Sequence, residues 1–146
     1  MYTSDKGRKE NRSLHVIGVY LLETVCCALF GAVYERFSHG VYSYFMLYAF
    51  AFPLILGVIP SFLMDKAGAF FPGKAAADCL HAGILALTVG SIMQGVLEIY
   101  GTTNPLNAVY WAVGAACLAA GCLMAAKQAW DEFRSCDRVK AVRMPR

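Results

Sequence analysis

The chain reads as an all-α membrane protein: four transmembrane helices in a compact bundle of two helical hairpins, with both termini on the cytoplasmic side. Three observations predict this. Of the 146 residues, 58% are hydrophobic and 16% charged, against about 45–50% and about 25% in an ordinary soluble domain. The apolar residues are also gathered into runs, and about 20 of them in a row cross the roughly 30 Å of a bilayer core. Finally, 12 of the 13 basic residues sit before the first run, between the second and third, or at the end of the fourth and beyond it. Lys and Arg are retained in cytoplasmic loops.

The elements follow in order. Residues 1–12 form a polar cytoplasmic tail with Lys6, Arg8, Lys9 and Arg12. The apolar run behind them is too long for a signal-peptide core, carries Glu23, and lacks a clear small-x-small cleavage site, so it is read as a retained helix. The membrane domain spans residues 13–134, with helices expected over about 13–34, 40–64, 75–100 and 105–130, and a basic cytoplasmic tail over 135–146. Residues 34–40 make the first outer turn. The second span contains Pro53 and Pro60, each of which removes a backbone hydrogen bond and bends a helix. Residues 65–74 form the inner loop, where Phe70 and Phe71 suit the headgroup region. Residues 101–105 form the second outer turn, with Asn104 as a cap and Pro105 as the first position of the last helix. Facing outward, the two outer turns hold a single basic residue, Arg36. The basic residues therefore report topology in the inner membrane and not nucleic-acid binding.

Lipid supplies little hydrophobic drive for helix association, so small residues must allow close approach. Gly114, Cys117, Gly121 and Ala125 form a smooth stripe on the last span, and the third offers Gly83, Gly90 and Gly95. The two halves also share a pattern. Gly31 and Gly95 each precede an outer turn, followed within four residues by Glu35 and Glu98, as a parallel repeat would have it. The six cysteines have no C-x-x-C pair, which argues against a zinc knuckle or a thioredoxin-type pair. They are read as small packing residues.

The chemistry rests on polar residues in costly places. Glu23 lies about ten residues into the first span, or roughly 15 Å deep. An ionised acid there must be paired, protonated or hydrated. At 100° per residue Cys27, Phe30 and Tyr34 share its face. Thr88, Ser91, Gln94 and Glu98 recur at three- and four-residue steps on the third span, a polar line from mid-bilayer to the outer surface. Facing Glu23, that line would form an outward half-channel; otherwise it serves interhelical bonding. Glu35, His39 and Glu98 gather at the outer rim, where carboxylates and imidazole suit a divalent cation, although no ligand spacing singles out a metal. For haem, His39 and His81 fall about 27 Å apart at 1.5 Å per residue, so only His15 and His81 could share an iron, and no C-x-x-C-H motif supports it. The sequence identifies no cofactor, and none is expected. Phosphate-cradling loops, G-x-S-x-G and H-E-x-x-H are absent.

The expected function is binding or translocation of a small solute or ion, with Glu23 as buried acid and Tyr34, Glu35, His39, Thr88, Ser91, Gln94 and Glu98 along the path. The partners expected are the bilayer and either a second copy or a partner membrane subunit. Two rival readings are a non-catalytic accessory subunit and an intramembrane redox protein using quinone or haem.

Overall fold

The computed structural model describes the backbone of residues 3–38, 40–67 and 72–142, and the side chains of 13–38, 40–67 and 72–135. His39, Phe70 and Phe71 lie outside them. The described residues are all helical, without a strand: α1 (Thr3–Phe37), α2 (Tyr44–Leu47), a π-helical turn (Pro53–Val58), α3 (Ile59–Lys66), α4 (Lys74–Ile99), a 3-10 turn (Pro105–Asn107) and α5 (Ala108–Val142). Three stretches among them are long and apolar enough to cross a membrane: Ser13–Phe37, Lys74–Ile99 and Pro105–Ser135.

Residues 40–64, expected as one kinked helix, are instead broken. After α2 the chain turns, re-enters a helix at Ala51 and passes through the π-helical turn before α3. The prolines account for this. Pro53 opens the widened turn and Pro60 sits in the first turn of α3. Neither carries an N–H, so the ladder shifts, and Ile59 N–H bonds the carbonyl of Leu54, five residues back.

Helices α4 and α5 form a tight hairpin. A Cβ on Gly83 would lie 2.9 Å from the Leu118 nitrogen and 3.0 Å from the Gly114 carbonyl oxygen, and one on Gly114 would lie 2.7 Å from the Leu87 side chain. The glycines thus let the two backbones approach, and Cys79 Sγ–H reaches the Cys117 carbonyl at 3.3 Å. The turn between them is well capped. Gly101, at φ +65°, ends α4 in the left-handed region. Its N–H bonds the Glu98 carbonyl and Thr102 N–H the Leu97 carbonyl, the double closure of a Schellman motif. Asn104 Oδ1 then accepts from Leu106 N–H at 3.0 Å.

Helix α1 stands apart from that hairpin. Among the described residues no Cα of α1 comes within 8 Å of α4 or α5. The broken second segment fills the space between. Met46 of α2, 1% exposed, is wedged between two glycines: a Cβ on Gly31 would lie 3.1 Å from the Met46 carbonyl oxygen, and one on Gly95 2.8 Å from its Cβ. The glycines of the two half-chain patterns thus close on the same residue from opposite sides.

Hydrogen bonds gather at the two ends. At one, Ser13 Oγ donates to Asp65 at 2.6 Å and Gly73 N–H to Gln128 Oε1 at 2.8 Å. At the other, Ser43 Oγ donates to Glu98 Oε2 at 2.6 Å and Asn107 Nδ2 to Gln94 Oε1 at 2.8 Å.

Candidate functional site

Glu23, the acid inside the first span, finds a partner across the crevice between α1 and α4. Its Oε1 lies 2.9 Å from His81 Nε2. One turn before Glu23 on the same face of α1, Tyr20 lays its ring on the imidazole, with centroids 5.2 Å apart and planes at 30°. Tyr20 is itself buried because its ring fills the place where Gly57 has no side chain. Gly57 belongs to the π-helical turn. The local rupture of the second segment and the positioning of His81 are therefore one feature: the turn without a Cβ admits the tyrosine, and the tyrosine holds the imidazole against the acid. Thr24, whose Oγ donates to the Tyr20 carbonyl at 2.7 Å, satisfies its own hydroxyl within the helix.

This arrangement suits proton exchange. An Nε2–Oε1 separation of 2.9 Å accommodates a proton on either atom, so an imidazolium–carboxylate pair and an imidazole–carboxylic acid pair share one geometry. Both are neutral overall, which a membrane interior favours over a lone charge. The other carboxyl oxygen, Oε2, is buried with no hydrogen-bond partner among the described residues. Oε2 offers its lone pairs to a proton, an N–H or a cation.

The polar line of α4 is engaged elsewhere. Thr88 Oγ donates to the Ile84 carbonyl at 2.8 Å, within its own helix. Ser91 Oγ donates to the Phe45 carbonyl at 2.7 Å. Gln94 accepts from Asn107, which also donates to the Gly90 carbonyl at 3.2 Å, and Glu98 accepts from Ser43. Three of these four side chains thus tie α4 to the second segment or to the start of the last helix, while Glu23 pairs with His81. Glu35 is half-buried, and its Oε1 has no hydrogen-bond partner among the described residues. His39 lies outside the described residues, and among those described no three of His, Cys, Asp and Glu cluster to hold a metal ion.

Tyr34 has a different setting. It and Tyr100 both line a cavity of about 380 Å³ at the Tyr100 end of the crevice. Phe30 and Phe37 of α1 add two more rings, and the hydroxyl of Ser38 completes its polar lining.

In the sequence His81 stands out only as a candidate haem ligand, and Tyr20, Ser43, Met46, Gly57 and Asn107 do not stand out at all. For His81 a signal existed. It lies seven residues into Lys74–Ile99, where Glu23 lies ten into Ser13–Phe37, a difference of less than one helical turn. For Gly57 and Met46 no local signal marks the position. No protein-family model, curated protein or solved structure matches this chain.

Proposed function

We propose that this chain is an inner-membrane protein of four membrane crossings, both termini cytoplasmic, that binds or moves a small solute or ion, with Glu23 as its buried acid and His81 as the proton partner. The fourth crossing is the broken segment. Ser43 at one end of it bonds Glu98, near the C-terminus of α4, and Asp65 at the other bonds Ser13. A segment so tied runs the length of its neighbours, and non-helical backbone is tolerated at membrane depth where protein covers it. The orientation rests on the basic residues.

The observation that carries the functional reading is Glu23 Oε2: a buried carboxyl oxygen without a partner, on an acid paired to an imidazole, inside a span. Ionisable groups kept at such depth mark ion, proton or substrate sites. The experiment is flux in proteoliposomes, with the transported solute found by screening. Glu23→Gln keeps the shape and cannot ionise. It is expected to fold and melt near the parent and to lose flux; unchanged flux would remove Glu23 from the mechanism.

A second reading, a non-catalytic accessory subunit working as a homodimer or with a partner membrane protein, is favoured by a separate observation. Ser91, Gln94 and Glu98 are all spent on holding α4 to its neighbours, as assembly alone would require.

A further inference from the structure

We propose that the cavity at the Tyr100 end binds a lipophilic organic cation, an ammonium centre carrying an aromatic or alkyl group. The inference rests on the reading of the chain as a solute-binding membrane protein and names the class of solute.

The size is right: about 380 Å³ falls within the roughly 300–1,000 Å³ of small-molecule sites. The lining argues for charge. Four of its residues are aromatic, Phe30, Tyr34, Phe37 and Tyr100, and the faces of such rings carry the negative part of a quadrupole that attracts cations within about 6 Å. Phe30 and Tyr34 stand with centroids 6.0 Å apart and planes tilted by 32°, so their faces are not stacked against one another. The polar side chains among the lining residues carry hydroxyls, and that of Ser38 has its proton engaged by the carbonyls of Glu35 and Val41, which leaves lone pairs. Among the described residues no Lys, Arg or His belongs to the lining.

The surrounding charges point the same way. Glu35 follows Tyr34 directly and, like Glu23, has one oxygen buried without a partner among the described residues. Glu23 lies on the Phe30 face of α1, about 10 Å deeper at 1.5 Å per residue. Arg36 is exposed and outside the lining. A cation in this cavity is lined by aromatic rings, and the nearest acids along α1 are Glu35, next to Tyr34, and Glu23, seven residues before Phe30. A neutral ring or a lipid chain would find the same walls but gain nothing from the acids or the ring quadrupoles.

The test uses the full chain in detergent and a matched pair of probes, benzyltrimethylammonium and its uncharged carbon isostere neopentylbenzene. Binding is read by equilibrium dialysis, with detergent-only controls that remove partition into micelles. The cation is expected to bind saturably and about tenfold more tightly than the isostere. Phe30→Leu and Tyr100→Leu should each weaken the cation about three- to tenfold, while Tyr34→Phe, which keeps the ring, should change it less than about twofold. Tyr100 is 74% exposed, so its variant reports even where Phe30→Leu fails to fold. Equal affinity for both probes, or cation binding that ignores the ring variants, overturns the assignment in favour of a plain apolar cavity; so does the absence of saturable binding. If the cation fails to bind while Glu23→Gln abolishes the flux of some other solute, this assignment falls and the broader reading stands. Failure of both removes both.

Discussion

Glu23 and His81 bridge two helices whose backbones keep apart: Oε1 and Nε2 meet at 2.9 Å although no Cα of α1 approaches α4 within 8 Å. The pair, together with the Tyr20 ring on the imidazole, ties α1 to α4 at this depth, and the seat of that tyrosine depends on a glycine in a third element. A first prediction follows from the cost of separating the partners. His81→Ala leaves a carboxyl group in the membrane without its imidazole and should destabilise by about 1–3 kcal/mol. Adding Glu23→Leu removes the orphaned group, so the double variant should melt above the single one. Detergent melting of the parent, both singles and the double gives the coupling; additive effects would mean the bridge contributes nothing.

Gly57 supports this bridge indirectly. A methyl group there would overlap the Tyr20 ring. Gly57→Ala should therefore cost about 1–3 kcal/mol through overpacking, despite alanine's higher helix propensity. Tyr20→Ala in the same chain should relieve most of that overlap. If Gly57→Ala melts at or above the parent temperature, the tyrosine is not seated as described.

The hairpin of α4 and α5 offers a sharper contrast between glycines. Gly114→Val would press into Leu87 and the Gly83 carbonyl and should lower stability by about 1–3 kcal/mol. Gly18 has no atom within 4 Å of where a Cβ would stand, so Gly18→Ala should be neutral or stabilising by up to about 1 kcal/mol. The same melting assay reads both, and equal effects would contradict the packing.

Orientation has its own check. With the native cysteines replaced, a cysteine at Ser38 or at the exposed Thr103 should react with a membrane-impermeant maleimide in intact cells. A reporter fused after Arg146 should be active in the cytoplasm. External activity of that reporter, with silence at both cysteines, would invert the topology.

Much of the architecture can be read along the chain, because hydropathy, small-residue spacing and charge bias are sums over neighbouring positions. The runs that became α1, α4 and α5 are visible this way. So are Gly83 and Gly114, since only small residues let helix backbones close in lipid. Pro53 and Pro60 mark the second segment as bent. Whether the bend becomes a kink or a widened turn depends on what fills it, and the filler, Tyr20, lies on another helix. The polar face of α4 was equally visible as a set of positions. Its partners were not, because Phe45, Ser43 and Asn107 come to it from elements whose approach no local pattern records.

By itself, then, the sequence determined an all-helical chain with long apolar runs, a biased distribution of basic residues, and an acid within the first run, all of which follow from the one-dimensional balance of apolar and charged groups. Only the tertiary structure decided that His81 is the acid's partner, that Met46 separates Gly31 from Gly95, and that Tyr34 and Tyr100 share a cavity. Each of these depends on which faces meet across a crevice, and that is settled by side-chain shape: a methionine that fits between two glycines, and a tyrosine that fits where a third has no Cβ.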